Sequence, residues 1–227
     1  AVFFDAQFWD GRDPDLEKQA QGPILAGPEM ASTKEHVVNT VTSMPGYVKA
    51  FEKAYGKDVK ISYENITATI GLFERTLVTP SAYDDFLNGN DKAMSKKEQD
   101  GLKTFIDKGC ASCHNGIALG GHMQAFEITA KYKYSNIGDF KGDKNGMVKV
   151  PTLRNINETA PYFHNGVVKT LKEAIVEMGR IQLGQDITDK EAASIQNFFN
   201  ALEGKKPEIL YPQLPKPTSS TPSKNVN

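Results

Sequence analysis

Cys110 and Cys113 stand two residues apart, and His114 follows directly. Cys-x-x-Cys-His is the pattern of covalent c-type haem attachment. Each thiol adds across one vinyl group to give a thioether, and the adjacent histidine reaches the iron from the proximal side. A structural zinc site would need four ligands, and the chain has no other cysteine. A thioredoxin-like dithiol would need a strand-helix-strand setting, which is missing around the motif. The chemistry expected here is that of a redox iron, with a structural or redox Cys-x-x-Cys as the alternative.

The sixth iron position decides what such a haem is for. Met/His ligation raises the reduction potential and suits electron transfer, whereas an open position suits peroxide or oxygen chemistry. Six methionines and three further histidines compete. Met178 shares a helix face with Leu171, Ala174 and Ile175 and precedes Gly179, which makes it the first candidate; a core methionine is the competing reading. His164, in the sequence Tyr162-Phe163-His164-Asn165-Gly166, comes second, and His122 and Met123 come third. His36, next to Glu35 on a capped helix, reads as surface.

The elements that must position these residues read as helices. Ser32 with Glu35, Ser95 with Glu98, Thr170 with Glu173 and Thr188 with Glu191 match the capping box. Apolar residues recur at helical spacing behind the starts: Val37, Val38 and Val41; Ile66, Ile70, Phe73 and Leu77; Ile195, Phe198, Phe199 and Leu202. A helix predicted over about 96–108 puts Leu102, Phe105 and Ile106 on one face and ends at Gly109, delivering Cys110 to the haem edge. No run alternates with period two, so the expected fold class is all-α. The Gly-, Asn- and Asp-rich stretch of about 115–160 reads as a long loop around the cofactor, and Pro207, Pro212, Pro215, Pro217 and Pro222 exclude a helix at the end.

Formal net charge is −1, which leaves no basic footprint for nucleic acid. No apolar run approaches the roughly 18 residues of a membrane span. The segment after Ala1 lacks the basic start and apolar stretch of a secretory leader, so export would require a leader already removed.

Longer motifs recur in order: Gln7-Phe8-Trp9-Asp10-Gly11-Arg12, Gly27-Pro28-Glu29-Met30, the haem motif with Leu119-Gly120-Gly121, Pro151-Thr152-Leu153-Arg154-Asn155, Thr159-Ala160-Pro161-Tyr162-Phe163-His164-Asn165-Gly166, and Glu177-Met178-Gly179. In these the chain resembles the bacterial di-haem cytochrome c peroxidases, which include MauG-like enzymes, over almost its whole length. The resemblance implies two cytochrome c-like domains: residues 1–78 as the remainder of the peroxidatic domain, 79–205 as the haem domain that receives electrons, and 206–227 as a Pro-rich arm packing on the first. It implies that Cys110, Cys113 and His114 hold the high-potential haem c, with Met178 as axial partner. Trp9 corresponds to the tryptophan between the haems. Glu29 and Gln19 correspond to the distal residues where peroxide is cleaved. Thr159 and Pro161 correspond to backbone carbonyls of a calcium site. Arg154 and His164 correspond to residues near the electron-receiving haem; Arg154 is expected to face a propionate, with a surface salt bridge as the alternative.

The function so implied is reduction of hydrogen peroxide to water with electrons from a small soluble c-type cytochrome or a cupredoxin, in the periplasm, and a homodimer is compatible with the sequence. One departure stands out. The family's peroxidatic haem is attached by another Cys-x-x-Cys-His upstream of the tryptophan motif, and this chain has none. A fragment, a separate chain and loss of the site all account for this; the first two are favoured, because Trp9 and Glu29 would otherwise have no functional reason to persist. The runner-up function is a monohaem electron-transfer protein or subunit without peroxidase activity. A MauG-like oxidase is third, and Met178 argues against it, because that group tends to carry a tyrosine there.

Overall fold

The computed structural model describes residues 1–138 and 142–223, so positions 139–141 of the glycine-rich stretch and the last four residues of the arm lie outside the described residues. The chain divides into two compact units.

The first unit holds Ala1–Val2, Asp13–Leu77 and the segment from Glu208 onward. It contains α1 (Leu16–Gln19), α2 (Gln21–Leu25), α3 (Lys34–Thr42), α4 (Pro45–Tyr55) and α5 (Tyr63–Glu74). Asp15 caps α1 by accepting from the Lys18 amide, and Ser62 caps α5 by accepting from that of Asn65. Thr33, not Ser32, caps α3: its hydroxyl accepts from the His36 amide, one position later than the expected box. The expected stripe on α5 is also turned around. Ile70, Phe73 and Leu77 face outward, while Tyr63, Thr67 and Gly71 are buried. The reason is close approach to α1: a Cβ on Gly71 would lie 3.0 Å from the Glu17 backbone nitrogen. Tyr63 then donates to the Gln21 carbonyl, and Arg75 grips the Glu17 carboxylate. The proline-rich segment lies on the α3–α4 junction, where Thr218 donates to the Ser43 carbonyl and Pro215 covers Gly46.

The second unit holds Phe3–Arg12 and Val78–Pro207. The tryptophan-bearing stretch Phe3–Arg12, assigned by sequence to the first domain, thus groups with the haem motif, for reasons of hydrogen bonding given below. Its helices are α6 (Ala82–Leu87), α7 (Lys96–Asp107), α8 (Leu171–Gln182) and α9 (Asp189–Asn200). Both halves of the capping boxes at Ser95/Glu98 and Thr188/Glu191 are formed, and Thr170 caps α8 through the Glu173 amide. A further box, Ser81 with Asp84, starts α6. The core gathers Phe105, Val168, Leu171, Ala174, Ile175, Ile195, Phe198, Phe199 and Leu202. Ile106, expected beside Phe105, is exposed. Helices α7 and α9 cross so closely at Gly101 that a Cβ there would sit 2.2 Å from the Ser194 carbonyl oxygen.

The fold is mostly helical, with one departure from the all-α expectation. Within the stretch read as loop, β1 (Met123–Ala125) pairs antiparallel with β2 (Met147–Lys149), Met123 opposite Lys149 and Gln124 opposite Val148. Strands of three residues are too short to register as alternation in a sequence.

Candidate functional site

The haem motif sits where α7 ends. Gly109, at φ 82°, adopts the left-handed conformation that stops the helix, and Cys110–Ser112 follow as a single 3-10 turn. The two cysteines form no disulfide. Cys110 packs against the core, and burial pushes its thiol up to about 11. Cys113 Sγ accepts from Gln124 Nε2 on β1 at 3.0 Å.

His114 is held by the loop that follows. Its Nδ1 lies 3.2 Å from the Leu119 carbonyl oxygen, which can only accept, so Nδ1 carries the proton. The other ring nitrogen, Nε2, is thereby left with its lone pair. Burial holds the imidazole below its ordinary pKa, against the opposing pull of the Leu119 and Pro151 carbonyls, and keeps it neutral as a metal ligand must be. The loop itself is stitched to residues 150–154. Gly121 donates to the Val150 carbonyl, Thr152 to that of Ala118 at 2.6 Å, and Arg154 Nε to that of Ile117 at 2.8 Å. Two thiols on one turn and a neutral histidine with a fixed tautomer fit covalent haem. Among the described residues, no group of three or more His, Cys, Asp or Glu side chains is placed to hold a metal ion.

Arg154 does more for the protein than the propionate expectation allows. Its guanidinium makes a bidentate pair with Asp84 at 2.7 Å on each side and also donates to the Ser81 hydroxyl. Burial would raise the Asp84 carboxyl, yet the hydrogen bonds from Arg154 and Ser81 hold it below its ordinary value. Arg154 therefore ties the proximal loop to the start of α6. The Ser-x-x-Asp pattern at Ser81 was readable as a capping box, but its partner Arg154 lies 70 residues further on.

The remaining predicted residues are placed as follows. Met178 is half-buried on α8, beside buried Glu177, whose carboxylate pairs with Arg180. His164 is half-buried, with its ring about 3.7 Å from the position a Cβ on Gly138 would take. Trp9 is 41% exposed, and its carbonyl accepts from the Lys149 amide on β2 at 2.8 Å. Gln19 ends α1 half-buried, and Glu29 is exposed in the turn after α2, its amide donating to the Ala26 carbonyl. Thr159 and Pro161 are exposed, and among the described residues neither carbonyl accepts a hydrogen bond. Sequence reasoning missed the Leu119 carbonyl, Gln124 and Lys149. A backbone carbonyl carries no side-chain signature, and the other two gain their roles only from the ribbon.

A sequence model of the di-haem cytochrome c peroxidase family matches residues 1–92. The cytochrome c551 peroxidase of Pseudomonas aeruginosa is 44% identical over 236 residues, covering 98% of this chain and 68% of that protein. This chain belongs to the bacterial di-haem cytochrome c peroxidase family. The cytochrome c551 peroxidase of Nitrosomonas europaea is 42% identical, with 96% of this chain and 67% of that protein covered. In fold the chain is similar to a MauG-like protein associated with microbial copper homeostasis, at a TM-score of 0.71 and 24% identity, over 89% of this chain and 73% of that one. The family is one of oxidoreductases that act on peroxide, use haem c and draw electrons from a cytochrome.

Proposed function

We propose that this chain carries the high-potential, electron-receiving haem c of a periplasmic peroxidase that reduces hydrogen peroxide to water. The observation that supports this best is the Nδ1 hydrogen bond of His114 to the Leu119 carbonyl. It fixes the ring and its tautomer and leaves Nε2 with its lone pair, as a proximal ligand needs. A haem bound there would supply one-electron redox chemistry, and the protein supplies orientation and tuning.

In this reading Cys110 and Cys113 would hold the haem as thioethers, and His114 and Met178 would bind its iron, a pairing that would favour electron transfer over peroxide chemistry there. Trp9 is the relay toward a second haem, attached upstream. Gln19 and Glu29 would serve that second site, where Glu29 would move a proton from one peroxide oxygen to the other. The open carbonyls of Thr159 and Pro161 suit a hard cation such as calcium. Arg154 and His164 support the haem-bearing loops, and the donor is a small soluble c-type cytochrome or a cupredoxin.

The test separates electron uptake from peroxide chemistry. In a two-haem form, Glu29→Gln should remove peroxide turnover while a reduced small cytochrome still reduces the Cys110/Cys113 haem. The 227-residue chain, shown by mass to hold one haem, should accept electrons but turn peroxide over poorly. Fast turnover by that single-haem chain would overturn the division of labour.

A further inference from the structure

The stretch that carries Trp9 is fastened to the second unit at every turn. Asp5 donates from its amide to the Gly121 carbonyl at 2.9 Å, directly after the proximal loop, and Lys149 donates from its amide to the Trp9 carbonyl. Both glycines of this contact are closely approached: a Cβ on Gly121 would lie 2.6 Å from the Phe4 ring, and one on Gly11 would lie 2.7 Å from the Met123 sulfur. The turn itself is conformationally demanding, since Phe8 sits at φ 62° without being glycine. Arg12 braces it by stacking on the Phe8 ring at 3.5 Å while pairing with Asp10 at 2.9 Å.

One side chain packs on the start of this stretch. The Lys149 ammonium lies 4.7 Å from the centroid of the Phe4 ring, within cation–π distance. Burial pushes its pKa below the ordinary lysine value, against the opposing pull of the Asp10 carboxylate. A half-buried ammonium is retained at a cost in desolvation, which the face of the Phe4 ring helps to offset. Lys149 sits on β2 opposite Met123, and β1 also carries Gln124, whose amide touches Cys113.

We propose that Lys149 is a positioning residue that locks the Trp9 turn onto the strand pair reaching Cys113, and so sets the geometry of the electron path through Trp9. The proposal rests on the reading of Trp9 as the relay. Trp9 is the only tryptophan of the chain, so its emission reports on this turn alone. In the haem-loaded 227-residue chain, Lys149→Met should lengthen the haem-quenched Trp9 emission lifetime and leave the reduction potential of the haem unchanged. In the two-haem form it should slow electron transfer between the haems. Lys149→Arg should restore both. Phe4→Leu, which keeps the lysine and removes its ring partner, serves as the second variant and should move the lifetime in the same direction. An unchanged lifetime in both Lys149→Met and Phe4→Leu would overturn the proposal and leave the relay reading intact. A native inter-haem rate in Trp9→Phe would instead overturn the relay reading, and with it the purpose assigned to Lys149.

Discussion

Gly101→Ala is the most exacting test of how the haem motif is held. The added Cβ would lie 2.2 Å from the Ser194 carbonyl oxygen, 2.8 Å from the Phe198 nitrogen and 3.0 Å from the Phe198 Cβ. Two of these atoms are backbone and cannot swing aside, so α7 and α9 must part by about 1 Å to restore ordinary contact. A gap of that size forfeits a quarter to a half of the dispersion well for each contact across it, here including Phe105 against Phe198 and Phe199. Overpacking costs about 1–3 kcal/mol, with the lost contacts adding to it. Alanine's better helix propensity returns about 1 kcal/mol. The net loss, about 2 kcal/mol, corresponds to a fall in Tm of roughly 4–8 °C for a chain of this size. Thermal unfolding followed by circular dichroism measures it, with Gly27→Ala as the control, because a Cβ there meets nothing within 4 Å. Because α7 delivers Cys110, the haem spectrum should shift as well. A Gly101→Ala protein with unchanged or higher Tm would refute the argument that backbone contact sets this crossing.

Met178→Leu should abolish the far-red thioether-to-iron band and lower the potential of the haem; an unchanged spectrum would shift attention to His164. Glu191, held by Lys108 and by the Thr188 amide and hydroxyl, has its pKa lowered from 4.5 to about 2. Between those values the unfolded chain binds a proton that the folded chain does not, so this stabilisation is present above pH 4.5 and is lost as pH falls toward about 2. Urea unfolding across that window should give a flatter pH dependence for Glu191→Gln, and identical slopes would show that the pairing contributes nothing. Thorough chelation of the two-haem form should alter turnover or the haem spectrum, and no change in either would deny calcium a functional role.

Much of the second unit was legible because its determinants are local. The boxes at Ser95 and Thr188, the stop at Gly109 and the inward faces of α8 and α9 follow from residues within four positions of each other. The errors arose where a distant partner decides. On α5 the apolar stripe lost to the face bearing Gly71, because α1 chooses the smaller surface for close approach. Ile106 fits helical periodicity, but α9 covers only the Phe105 side. At the site, Cys110, Cys113 and His114 announce themselves by spacing. The carbonyl that fixes the His114 tautomer, the Asp84 that claims Arg154 and the strand that fastens Trp9 depend on contacts across dozens of residues.

The pairing of α7 with α9 also carries a consequence in time. Thr104 and Ser194 meet through their hydroxyls at 3.0 Å although 90 residues separate them. A chain that emerges N-terminus first presents Cys110 to His114 long before the residues that close over α7 exist. Until α9 arrives, α7 has no partner along the face that carries Gly101 and Phe105, so the helix that delivers Cys110 is set in place only by the last helix of the unit to be made.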